Sequence, residues 1–96
     1  MPGYVLTPAA RADLEDIWRY SVQQWSFAQA ERYILAIRDA CNDLASGAQQ
    51  GQDAGDIRAG YRKLKVGSHL LFFRRSGDTL EVVRILHQRM DLPNRL

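Results

Sequence analysis

Tyr4-Val5-Leu6 is a short apolar run that stops at Thr7-Pro8, a residue suited to cap a helix followed by proline at the first helical position. The pattern therefore predicts a short strand leading into a helix. In that helix Leu14, Ile17, Trp18, Val22 and Trp25 recur at helical spacing, and Arg11, Asp13, Glu15, Asp16 and Arg19 occupy the remaining surface. Ser26-Phe27-Ala28-Gln29 has the form of a capping box and predicts the start of a second helix. Its stripe is Ala30, Tyr33, Ile34, Ile37, Cys41 and Leu44, and Gly47 is placed to end it in a left-handed conformation. Two helices with so short a link must form an antiparallel hairpin.

From Tyr61 the period changes to two. Arg62, Leu64 and Val66 point one way, and Tyr61, Lys63 and Lys65 the other, which predicts a strand with one wet, basic face. Gly67-Ser68 closes a tight hairpin into His69–Arg75, a segment apolar on both faces and hence central in a sheet. Ser76-Gly77-Asp78 makes the next turn, and Thr79–His87 supplies the third β-rich segment. Ser46–Gly55 shows no periodicity and reads as a surface connection, and the tail from Gln88 reads as irregular. The expected fold is α+β: an N-terminal short strand, then a two-helix antiparallel hairpin packed on one face of a mainly antiparallel β-sheet.

A length of 96 residues allows one modest core, so residues 1–96 are read as a single domain. With 46% apolar and 25% charged residues the chain is of ordinary globular composition. The single cysteine, Cys41, permits no internal disulfide and no zinc knuckle. The Met-Pro-Gly-Tyr opening lacks a basic start and a long apolar stretch, so neither a signal peptide nor a membrane helix is expected, and the cytoplasm is the expected compartment.

Charge changes the picture more than its net value of +2 suggests. Residues 1–47 hold four basic and six acidic side chains, whereas residues 58–96 hold nine basic and three acidic. Such a basic half is either a solvated sheet face or a surface for an anionic partner, an acidic protein segment or a nucleic acid. The low total charge argues against a stand-alone nucleic-acid-binding module.

Three segments carry a family likeness: Tyr4-Val5-Leu6-Thr7-Pro8-Ala9-Ala10 with Asp13-Leu14 and Ile17; Asp56-Ile57-Arg58-Ala59-Gly60-Tyr61-Arg62; and Arg84-Ile85-Leu86-His87-Gln88-Arg89-Met90-Asp91. Together, in this order and spanning nearly the whole chain, they resemble the ParE branch of the RelE/ParE superfamily. The resemblance implies a growth-arresting toxin of the kind tied to plasmid stabilisation. It would be encoded beside a ParD-like antitoxin with an acidic C-terminal segment, assemble with it as a hetero-oligomer, and poison DNA gyrase as studied relatives do. The shared scaffold does not itself choose between gyrase and the ribosome.

The competing reading is a RelE-like ribosome-dependent mRNA endoribonuclease, whose chemistry needs a base for the ribose 2′-hydroxyl, cations for the phosphorane and an acid for the leaving oxygen. Arg62, Lys63, Lys65, Arg84 and His87 could supply these groups, but basic residues on strands are common and no tyrosine follows Met90. A histidine at a strand end is more often a partly buried, hydrogen-bonded residue than a proton carrier, and His69 after its turn more so. His87 with Asp91 makes no metal signature, and no phosphate loop or Ser-His-Asp set is present, so no catalytic residue, metal or cofactor is expected. Of the aromatics, only Tyr20 and Tyr61 are left for surface contacts once the core is filled. The expected partner-binding residues are Arg58, Tyr61, Arg62, Lys63, Lys65, Arg74, Arg84, His87 and Arg89. They would act by binding, without covalent chemistry, sequence-specific nucleic-acid recognition or membrane contact.

Overall fold

The computed structural model describes residues 3–96; Met1 and Pro2, part of the Met-Pro-Gly-Tyr opening, lie outside the described residues. The elements run β1 (Tyr4–Leu6), α1 (Pro8–Gln24), α2 (Phe27–Ser46), β2 (Gln52–Asp53), β3 (Arg62–Val66), β4 (His69–Ser76), β5 (Thr79–His87) and α3 (Leu92–Arg95). The sheet has five strands in the order β1-β5-β4-β3-β2, antiparallel except where β1 joins β5. The expected α+β architecture, with the helical hairpin on one face, is the one observed.

Local chemistry explains the helix ends. Thr7 Oγ1 accepts the Ala10 N–H as the cap of α1, and Pro8 enters where no N–H is required. The same hydroxyl donates to the Val83 carbonyl at 2.7 Å, so one residue starts the helix and ties it to β5. Ser26 Oγ caps α2 by accepting from Gln29 N, and Gly47 ends it at φ 88°. Trp25 departs from the sequence reading. It is the extended C-cap of α1 rather than a residue of its buried stripe, and it remains 43% exposed. The link between the hairpin helices passes through that extended residue, whose ring meets Tyr33 of α2 edge to face at 5.9 Å.

The main core lies between the hairpin and the sheet. Ile17, Ile37, Cys41 and Leu44 from the helices meet Leu71, Phe73, Leu80, Val82 and Ile85 from β4 and β5. Burial drives the Cys41 thiol up to about 11, so it stays protonated and serves as a small apolar side chain.

The opposite sheet face is not a bare wet surface, which corrects the sequence reading. Phe72 and Leu86, alternating with core neighbours on their strands, form a second cluster with Ala54 and Tyr61. Ile57 from the 54–61 loop, and Leu92 and Leu96 from the tail, pack over them. The 46–55 connection is therefore not wholly irregular, since it contains β2, and the tail forms the four-residue helix α3. The first of these takes up structure by pairing its backbone with β3, and the tail does so by laying Leu92 and Leu96 over the apolar cluster.

The β3–β4 turn is fixed by Tyr33. Its hydroxyl accepts the Ser68 N–H at 3.1 Å and lies 2.6 Å from His69 Nδ1. Gly67, at φ 58°, runs beneath the ring, and a Cβ there would come within 2.5 Å of Tyr33 Cε1. Glycine is thus required twice at this position, by backbone conformation and by space.

Candidate functional site

The structure distributes the nine expected partner-binding residues over several places. Arg62 and Arg74 line a cleft of about 450 Å³ between the C-terminal end of α2, the start of β3 and the end of β4. Arg62 arises from the polar end of β3, on the same face as Leu64 and Val66. Its Nε and Nη2 donate to the carbonyls of Gln50 and Gly51 at 3.0 and 3.1 Å. Arg75, which the sequence reading did not select, lines the same cleft and donates from Nη2 to the Leu44 carbonyl, which also accepts the Gly47 N–H that closes the end of α2. Arg74 pairs across the strands with Glu81 at 2.8 Å, and that hydrogen bond raises the guanidinium pKa. Leu44 and Phe73 form the apolar part of the lining.

Arg84 is a structural residue rather than an open contact. β1 pairs with β5 only as far as Val82, and beyond it the Asp13 carboxylate of α1 takes over the strand edge. Asp13 accepts from Arg84 Nε and Nη2 at 2.7 and 2.9 Å and from the Ile85 N–H at 2.9 Å. The hydrogen bonds to Asp13 raise the Arg84 pKa against the opposing effect of burial. Asp13, expected on the outer surface of its helix, is instead the bolt between α1 and β5. Nothing in the sequence pairs two residues 71 positions apart.

Arg58 and Arg84 both reach the tail, through the carbonyls of Leu96 and Arg95 respectively, and so hold α3 against the second sheet face. Tyr61 is 7% exposed and precedes β3, so it is not the surface strand residue expected. It packs in the second cluster and presents its ring to Arg58 and Arg74, whose guanidinium carbons lie 5.6 and 5.7 Å from the ring centroid. Lys63 is half-buried and Lys65 exposed on β3, while Arg89 is exposed in the turn after β5.

The two imidazoles come together. His69 and His87 are cross-strand neighbours at the end of the β4–β5 ladder, with ring centroids 5.3 Å apart. His87 Nδ1 accepts the Arg89 N–H at 3.1 Å. Burial, then repulsion from His87, lowers the His69 pKa, against an opposing pull from Asp13. Both rings line a second cavity of about 320 Å³ with Asp13, Asp16, Ile17 and Tyr20. Tyr20 is open to solvent, as expected. Among the described residues no group of three or more His, Cys, Asp or Glu side chains is arranged to hold a metal ion, and no helix is long and apolar enough to cross a membrane.

Comparison with known proteins places this geometry. A family model described as the ParE toxin of type II toxin–antitoxin system, parDE, matches residues 4–92. The Toxin ParE1 of Mycobacterium tuberculosis is 46% identical over 94 residues, covering 97% of this chain and 96% of that protein. The Toxin ParE1 of Caulobacter vibrioides is 41% identical over 91 residues, covering 95% and 94% respectively. A solved chain of the chromosomal ParDE toxin–antitoxin system from P. aeruginosa superposes with a TM-score of 0.77 at 25% identity, covering 91% of this chain and 96% of that one. The chain belongs to the ParE toxin family of type II toxin–antitoxin systems.

Proposed function

We propose that this toxin inhibits DNA gyrase by binding alone and is neutralised by a ParD-like antitoxin that covers its basic surface. One observation carries the non-enzymatic part: the proton-transfer groups and the cations lie in different cavities. The cavity holding His69 and His87 is lined by the carboxylates Asp13 and Asp16 and, among the described residues, by no lysine or arginine. The arginine cleft, conversely, is lined among the described residues by no imidazole or carboxylate. Cleavage of RNA at a ribose 2′-hydroxyl needs base and cation around one phosphate. His87 is moreover engaged at Nδ1, and Arg84 is committed to Asp13.

The imidazole pair is the feature that would serve the endoribonuclease reading, so it is the place to test. If either ring were a general acid or base, its replacement by alanine would remove roughly 10²–10⁴ in rate. We expect His87→Ala to fold and to keep its growth arrest when expressed without antitoxin. Arrest abolished by His87→Ala, with folding and antitoxin affinity unchanged, contradicts the proposal.

A further inference from the structure

We propose that the cleft between the end of α2, the start of β3 and the end of β4 seats carboxylates from an acidic, partly apolar peptide segment of the antitoxin, an inference that rests on the toxin–antitoxin reading above. The cleft is built by contacts that orient guanidinium groups without neutralising them. Arg62 is held by the carbonyls of Gln50 and Gly51, and Arg75 by that of Leu44. A carbonyl oxygen fixes the plane of the fork but carries no formal charge. Arg62 keeps its Nη1 donors, and Arg75 keeps Nε and Nη1, so both offer aligned N–H groups to a further acceptor. The contrast is with Arg74 at the same cleft, whose charge is already met by Glu81. Two oriented, unneutralised guanidiniums in one concavity are matched by carboxylate or phosphate.

The rest of the lining favours the carboxylate of a peptide. Leu44 and Phe73 give the cleft an apolar part, suited to an aliphatic side chain beside the acid. Gln49 and Gln50 bring amides that can both donate to and accept from a peptide backbone. A nucleic-acid strand is better met by a groove that tracks successive phosphates beside aromatic faces open for stacking. Here the cleft's aromatic ring, Phe73, is 3% exposed and packed in the main core. About 450 Å³ accommodates an acidic side chain and a neighbouring apolar one.

The test uses the full-length toxin and the antitoxin encoded with it, with affinities measured by titration calorimetry. We expect Arg62→Gln and Arg75→Gln each to weaken binding about tenfold to a hundredfold, the range set by loss of a charge-assisted hydrogen bond. Arg19→Gln, on the exposed outer side of α1 among Glu15 and Asp16, should change affinity by less than about threefold, as surface ion pairs do. An antitoxin whose toxin-binding carboxylates are changed to amides should bind weakly and no longer distinguish Arg62→Gln from the unmodified toxin. Arg75→Lys keeps the charge and should bind more tightly than Arg75→Gln. Should Arg75→Gln prove unfolded by circular dichroism, Arg62→Gln and the antitoxin amide series decide alone.

Equal affinity of the unmodified toxin and Arg62→Gln for antitoxin overturns the cleft assignment and leaves the toxin reading standing. No affinity of the unmodified toxin for antitoxin removes that reading and the assignment with it. A single-stranded DNA oligonucleotide that binds the unmodified toxin and is lost on Arg62→Gln, while antitoxin binding is unaffected, gives the cleft to nucleic acid and overturns the peptide.

Discussion

Arg84→Ala is expected to destabilise the fold by about 2–4 kcal/mol, because it leaves the Asp13 carboxylate, itself 13% exposed, without its bidentate partner. The lower end of that range reflects the Ile85 N–H, which still reaches Asp13, and the 22% exposure of the arginine side chain. For a domain of this size that loss corresponds to a fall in thermal midpoint of about 10–25 °C. The tail should loosen as well, since Arg84 also donates to the Arg95 carbonyl. Arg84→Lys should recover only part of the loss, because an ammonium cannot form the two parallel bonds of the guanidinium fork. Arg89→Ala, exposed and outside the ladder, should stay within about 0.5 kcal/mol of the unmodified protein. Calorimetric scans of the three variants check this. A midpoint for Arg84→Ala within a degree or two of the unmodified one would return Arg84 to the role of an open surface contact.

Phe72→Ala is expected to cost about 3–5 kcal/mol, the range for deleting a buried aromatic side chain. Phe72 is fully buried, yet it lies on the sheet face away from the helical hairpin, covered by Ala54, Tyr61, Leu86 and the tail leucines. The size of the effect therefore measures whether that cover is a true second core. Urea unfolding gives the value directly. A loss below about 1 kcal/mol, the size seen at surface positions, would mean that the 54–61 loop and α3 do not seal this face.

These two residues also mark where the sequence was and was not legible. Elements with strong period and clear punctuation could be read directly. The Thr7 and Ser26 caps, the Gly47 stop, the Gly67-Ser68 turn and the span Thr79–His87 all stand where local chemistry put them. The same alternation made β4 central, since Leu71, Phe72 and Phe73 must bury on both faces. What pattern could not supply was the cover of the second face. Ile57, Leu92 and Leu96 are isolated apolar residues in unpatterned segments, and only the assembled sheet gives them a surface to bury against.

The site was legible as a basic half but not as an arrangement. Arg62 and Arg74 were identifiable by strand and charge, whereas Arg75, at the end of the same predicted strand as Arg74, gains its place only when the end of α2 arrives beside it. Arg84 and Tyr61 carry the residue types expected of an interface. Their partners, Asp13 for one and the second cluster for the other, come from segments that meet only in the folded chain. Long-range pairing of this kind leaves no periodic trace.

The proposed mode of action stands or falls on gyrase. Toxin freed from its antitoxin and added to purified gyrase with relaxed plasmid should abolish supercoiling or accumulate cleaved DNA, and restoring the antitoxin should reverse the loss. Undisturbed supercoiling at saturating toxin, together with messenger cleavage that requires the ribosome, is the result that would contradict it.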